Sequence, residues 1–167
     1  MGDNMKNISQ QLYNQILEVM PIPCVDVCIV NQQNQILLIR RKDEPEKNMW
    51  WVPGGRVFKG EMMKDTAKRK ALEETGINCE VSHIIHTAET VFSTGPNNIP
   101  VHSVNVCYLA YPTNKDIIVT LDNHSSTYMW IKELDSSWQL HPYVQSCLLG
   151  AGIRYPIQCD PTNHIYY

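Results

Sequence analysis

Residues 55–77 read GRVFKGEMMKDTAKRKALEETGI, and this stretch decides how the rest of the chain is read. Its second part, residues 61–75, is rich in strong helix formers, and Gly76 follows where a left-handed cap would end a helix. Four residues separate Arg69 from Glu73 and Lys70 from Glu74, so each pair meets on one helix surface. Glu73 and Glu74 are adjacent carboxylates that repel one another unless a cation sits nearby. A hard divalent ion with oxygen ligands removes that repulsion, and Mg²⁺ suits a few carboxylates together with substrate phosphates. Taken alone, KRKALEE reads better as a solvated charged helix face than as a metal site. Upstream, Gly54 and Gly55 let the backbone turn and approach a ligand closely.

Working outward, Ile8, Leu12, Ile16 and Val19 recur at helical spacing, which predicts a helix over 8–20 with Ser9 as a cap. Pro21 and Pro23 end it. Strands are expected at Val25–Val30 and Ile36–Ile39 around a polar turn, Asn31–Asn34, and a charged loop spans 42–48. Trp50–Val52 is a short apolar run. Beyond the central helix, strands are expected at Val81–Ile85, Ala88–Phe92, Val104–Tyr111 and Thr127–Ile131, with a loop over 93–100. A closing helix is expected over 143–150. One helix surrounded by strands makes a mixed α/β (α+β) fold, with helices packed on a sheet. The whole of 1–167 suits a single domain.

The net charge of −3 and the absence of basic runs argue against a nucleic-acid partner. No apolar run suggests a signal peptide or a membrane span, so the expected compartment is the cytoplasm. Six cysteines, at 24, 28, 79, 107, 147 and 159, form no CxxC pair and are read as reduced core residues.

The 55–77 stretch resembles the Nudix box, in which a glycine, a glutamate and an Arg-Glu-apolar-x-Glu-Glu-x-Gly-apolar run stand at fixed spacing. Gly55, Glu61, Arg69, Ala71, Glu73, Glu74, Gly76 and Ile77 fall in register. The WWVPGG lead-in also looks like that family. The resemblance implies a Nudix fold, a mixed sheet between helices carrying a loop–helix–loop motif, and within it the metal-site reading is preferred to the solvated helix. One position departs: Lys70 stands where the box has a glutamate, usually a metal ligand and a source of the catalytic base. A cation there implies fewer bound metal ions and a base from elsewhere.

From about residue 22 to 131 the chain is also similar to the GDP-mannose mannosyl hydrolase branch, which cuts at the sugar anomeric carbon instead of at phosphorus. Carried over, the likeness implies Asp26 near the leaving group, Arg41 and Arg56 on the diphosphate, and Gly54, Glu74 and Asn123 as metal donors, with Glu73 kept beside them. His124 aligns with the general base, given one extra residue between His124 and Trp130. A substrate-contacting tyrosine of that branch falls near Ser103. His102 is a rival base. A histidine with an ordinary pKa of about 6.5 works as a base at neutral pH, and an arginine fork suits phosphate oxygens.

The expected activity is thus hydrolysis of a nucleoside-diphosphate sugar with Mg²⁺, or Mn²⁺, by a cytoplasmic homodimer. Two alternatives stand beside it. One is a pyrophosphatase cutting ADP-ribose or a nucleoside triphosphate at phosphorus; the other is a nucleotide-binding protein disabled by Lys70.

Overall fold

The computed structural model describes residues 8–156, so the expectation for Cys159 lies outside the described residues. Helix α1 (Gln10–Val19) begins where the Ser9 side chain accepts the Leu12 N–H at 3.2 Å. Strands β1 (Ile22–Ile29), β2 (Ile36–Arg41), β3 (Trp50–Trp51) and β4 (Gly54–Arg56) lead into helix α2 (Met63–Thr75). Then come β5 (Cys79–Phe92), β6 (Val101–Pro112), β7 (Ser125–Ile131) and helix α3 (Pro142–Gly150).

The strands form two sheets, one ordered β4-β1-β6-β5 and one ordered β3-β2-β7. β1 runs parallel to β6, and the other pairings are antiparallel. β1 is a buried apolar run, as a strand covered on both faces must be. Its alternation divides the core. Val25, Val27 and Ile29 pack with Leu37 of β2 against Ala67 and Ala71 of α2, whose small side chains let the helix approach closely. Cys28, on the other face, packs with Leu38 and Leu109 against Val144, Cys147 and Leu148 of α3. The strands therefore lie between α2 and α3. α2 ends at Gly76, whose φ of 71° is the left-handed conformation that glycine adopts without a Cβ penalty.

Several boundaries differ from the sequence reading. Val81–Ile85 and Ala88–Phe92 are one strand, because β5 keeps pairing with β6 through irregularities at Val81/Ile84 and Ile84/His86. β6 starts at Val101 instead of Val104, its first residues held by pairing with Thr90, Val91 and Phe92. β2 runs on to Arg41, opposite Ser125, across a shift in register. Cys24, Cys28, Cys79, Cys107 and Cys147 are free thiols.

A candidate active site built on the 54–74 segment

α2 is tied to the loop before it by one arginine. Arg69 holds Glu61 through Nε (2.7 Å) and Nη2 (2.8 Å), reaches Glu73 through Nη1 (3.0 Å), and donates to the Arg56 carbonyl at 3.1 Å. Glu61 also accepts from the Thr66 hydroxyl and the Phe58 N–H. Arg69 above all, with these donors, holds the Glu61 carboxyl down at about 2. Glu61 and Arg69 thus fix the loop that presents Gly54–Arg56.

The next turn of α2 presents Glu74 to the double glycine. Glu74 Oε2 accepts the Gly54 N–H at 3.1 Å, and Lys70 Nζ lies 2.7 Å from Glu74 Oε1 and 3.3 Å from Glu73 Oε2. Burial pulls the Lys70 ammonium down, but Glu74 and Glu73 outweigh it and leave its pKa raised. Gly54 is required here: a Cβ would lie 2.1 Å from Asp26 Oδ1 and 2.7 Å from the Val25 carbonyl.

Gly54, Glu74 and Asp26 border a cavity of about 700 Å³. Its floor is a patch of sheet whose rows follow from strand register. Across the sheet, Gly54, Asp26 and Cys107 make one row, Arg56, Cys24 and Asn105 the next, and Ile22, Ser103 and Thr90 the third. Ile22, Cys24 and Asp26 are alternate residues of β1, so they share one face and step along the floor. Asp26 is 5% exposed and accepts the Tyr143 hydroxyl of α3 at 2.6 Å. Burial pushes its carboxyl up to about 6, against the Tyr143 hydrogen bond and with the help of nearby Glu74.

Arg41 and His124 stand on the β2 and β7 side. Arg41 Nε donates to the Pro45 carbonyl at 2.7 Å, and its guanidinium lies 5.7 Å from the Trp51 ring centroid. His124 Nδ1 lies 2.5 Å from Asp43 Oδ2, with both side chains mostly exposed. Arg56 stacks 4.7 Å from the Tyr13 ring centroid on α1.

Asp26, Arg41, Gly54, Arg56, Glu74 and His124 all line this cavity. Glu73 and Asn123 do not. Glu73 points to Arg69 and Lys70 at a neighbouring shallow hollow. Asn123 is exposed, while its neighbour Asp122 is near enough to raise the Glu74 pKa and accepts the His124 N–H at 2.9 Å. His102 also stands off the cavity, 3.9 Å from Glu89. Sequence reading missed Asp43, Tyr143, Asp122, Thr90 and Asn105, and none stands in a motif that could have marked it.

Among the described residues no cluster of three or more His, Cys, Asp or Glu side chains forms a ready metal cage. The buried Glu74 carboxylate beside Gly54 and Asp122 nevertheless offers hard oxygen donors, which fit a divalent cation that completes its shell with substrate phosphate. Among the described residues, no helix is long and apolar enough to cross a membrane.

A family model described as NUDIX domain matches residues 20–145. The chain is 29% identical over 138 residues to the low-salt glycan biosynthesis protein Agl8 of Haloferax volcanii, covering 80% of this chain and 83% of that protein. It is 31% identical over 81 residues to an ADP-ribose pyrophosphatase of Methanocaldococcus jannaschii, covering 48% of this chain and 46% of that one. The chain spans less than half the length of most of the first curated relatives it matches. Among solved structures it resembles a MutT NUDIX hydrolase from Burkholderia pseudomallei, with TM-score 0.66 and 26% identity, over 78% of this chain and 98% of that one.

Proposed function

The chain belongs to the NUDIX domain family, and from that premise we propose that it hydrolyses a nucleoside-diphosphate sugar by attack of water at the sugar anomeric carbon. The observation that carries this reading is the pairing of His124 with Asp43 at the cavity rim. With Nδ1–H donated to the Asp43 carboxylate, Nε2 keeps its lone pair free to take a proton. The position that supplies a glutamate in the family's box holds Lys70, whose ammonium is spent on Glu74, so a base from another element is needed.

In this mechanism Arg41 and Arg56 hold the diphosphate, and the Asp43–His124 pair orients and deprotonates the attacking water. The new carbon–oxygen bond forms as the bond from the anomeric carbon to the diphosphate oxygen breaks. The nucleoside diphosphate leaves with that electron pair. A divalent cation, Mg²⁺ or Mn²⁺, supplies charge neutralisation for the leaving diphosphate. Glu74, with Gly54 beside it, would hold the cation; Asn123 and Glu73 would need to turn toward it. Asp26, buried and tied to Tyr143, keeps the Gly54 turn in place. A homodimer is part of the same reading, and sedimentation analysis checks it.

The deciding experiment is hydrolysis of GDP-mannose, GDP-glucose, UDP-glucose and ADP-ribose in ¹⁸O-labelled water with Mg²⁺. Label in free hexose, with unlabelled nucleoside diphosphate, is expected. Label in a phosphate product overturns carbon attack and supports the second reading, a pyrophosphatase. That reading is favoured by the adjacent Glu73 and Glu74 and by the likeness to an ADP-ribose pyrophosphatase.

A further inference from the structure

On the far half of the β5–β6 hairpin the usual pattern is turned inside out. Thr90, Ser103 and Asn105 face inward and are each 5% exposed, while Val91 and Val104 between them face outward at 73% and 37%. A strand that only stabilises a fold does the opposite, burying valine and exposing threonine, serine and asparagine. Breaking the pattern at three neighbouring positions marks a place where a ligand, not the fold, sets the residue type.

The three side chains are linked to one another. Thr90 Oγ1 and Ser103 Oγ lie 2.7 Å apart, and Asn105 Nδ2 donates to Thr90 Oγ1 at 3.0 Å. Asn105 Nδ2 also approaches the carbonyls of Ala88 and Ser103, each at 3.5 Å. Carbonyls only accept, so the amide nitrogen must face them, and this orients the Asn105 side chain. Its Oδ1 then accepts no hydrogen bond from the described residues, although it borders the cavity. That oxygen is open to solvent and not sealed in the core, so a ligand N–H can take the place of water on it.

Around this trio the cavity wall is largely apolar, with Ile22, Phe92 and Val101, and the charge of Arg56 stands at the far end of the Asn105 row. A flat heteroaromatic ring fits apolar walls with a few fixed polar groups. A hexose, which carries hydroxyls around its rim, would leave several of them facing aliphatic carbon. Asn105 shares its row with Cys24 and Arg56, and the next row brings Asp26 and Gly54, so the trio lies two to four strand residues, roughly 7–13 Å, from Gly54.

We propose that Thr90, Ser103 and Asn105 form the subsite that reads the nucleobase, with Asn105 Oδ1 accepting a base N–H. This rests on the nucleoside-diphosphate reading above. The test is calorimetric binding of GDP, ADP, UDP, CDP and inorganic pyrophosphate, with Mg²⁺, to the wild-type chain and to Asn105→Leu and Ser103→Ala. The wild type is expected to favour one base by about 10- to 100-fold, the span of one buried hydrogen bond. Asn105→Leu should bring the four nucleotides within about threefold of each other and leave pyrophosphate binding unchanged. Ser103→Ala, the smaller change, should narrow the preference in a chain that folds normally. A base ranking that survives in both variants overturns the proposal, as does a wild type that binds the four bases equally. A wild type that binds none of the nucleotides overturns the nucleoside-diphosphate reading as well. Variants that alter the ranking of UDP-glucose against UDP-galactose, and not that of the bases, would assign the trio to the sugar.

Discussion

The two ends of the cavity are built on opposite principles. At one end Gly54, Glu74, Lys70 and Asp26 crowd charges around a tight backbone turn, and almost every polar atom is already held by the protein. At the other, Thr90, Ser103 and Asn105 are neutral, linked among themselves, and leave an acceptor open. Charge that is held in place stabilises charge developing on a substrate, because the donors need no reorganisation when reaction occurs. A neutral, half-satisfied wall contributes selectivity, because a wrong ligand leaves a polar group unpaired. The expected division is chemistry at the first end and choice of ligand at the second.

The largest test of that division is His124→Ala. Loss of a general base lowers turnover by about 10²- to 10⁴-fold, and nucleoside-diphosphate binding should be nearly unchanged, read by steady-state kinetics beside calorimetry. Full activity in this variant would remove His124 from the chemistry. Next is Gly54→Ala, where the added Cβ meets Asp26 Oδ1 and the Val25 carbonyl. Overpacking against backbone costs about 1–3 kcal/mol, so the denaturant midpoint should fall. A midpoint equal to that of the wild type would show that the turn yields.

Asp26 belongs to the charged end, and its variant sharpens the comparison through pH. Its carboxyl rises from the usual 3.8 to about 6 in the folded chain. The folded state therefore holds this proton more tightly than the unfolded one. Stability from this group is greatest below pH 4, falls as pH rises toward 6, and stays reduced above it. Asp26→Asn keeps an acceptor for Tyr143 without the buried charge. It should melt higher than wild type above pH 6, recovering part of the roughly 3 kcal/mol that such a shift represents, and the gain should vanish near pH 4. A pH-independent gain would remove burial as the cause.

The smallest expected effect is that of Lys70→Met. The Lys70 ammonium competes with any cation for Glu74. Its removal should tighten Mn²⁺ binding by about tenfold, the order of one charge-assisted contact, as read by electron paramagnetic resonance titration. Unchanged affinity would mean that Lys70 swings aside without cost.

Sequence reading went furthest where one element carries its own pattern. The α2 helix and its glycine stop, the i, i+4 pairs of Arg69 and Lys70, and the Ser9 cap are all local, and the structure has each of them. It fell short where a partner is distant. Asp43 and His124 are 81 positions apart, Asp26 and Tyr143 are 117 apart, and no periodicity links either pair. β5 read as two strands because its irregular stretch breaks alternation, while pairing with β6 carries the strand through. The inversion at Thr90, Ser103 and Asn105 was invisible because alternation shows which residues share a face, not which face is inside.

The sequence alone therefore determined the family and the loop–helix segment that presents Glu74, because helix propensity, capping and fixed spacing are properties of neighbouring residues. Only the tertiary structure decided which face of β6 meets the cavity, that Gly54 donates to Glu74, and that Asp43 holds His124. Those facts depend on strand register and on loops meeting across the sheet, and register is settled by the packing of the whole core.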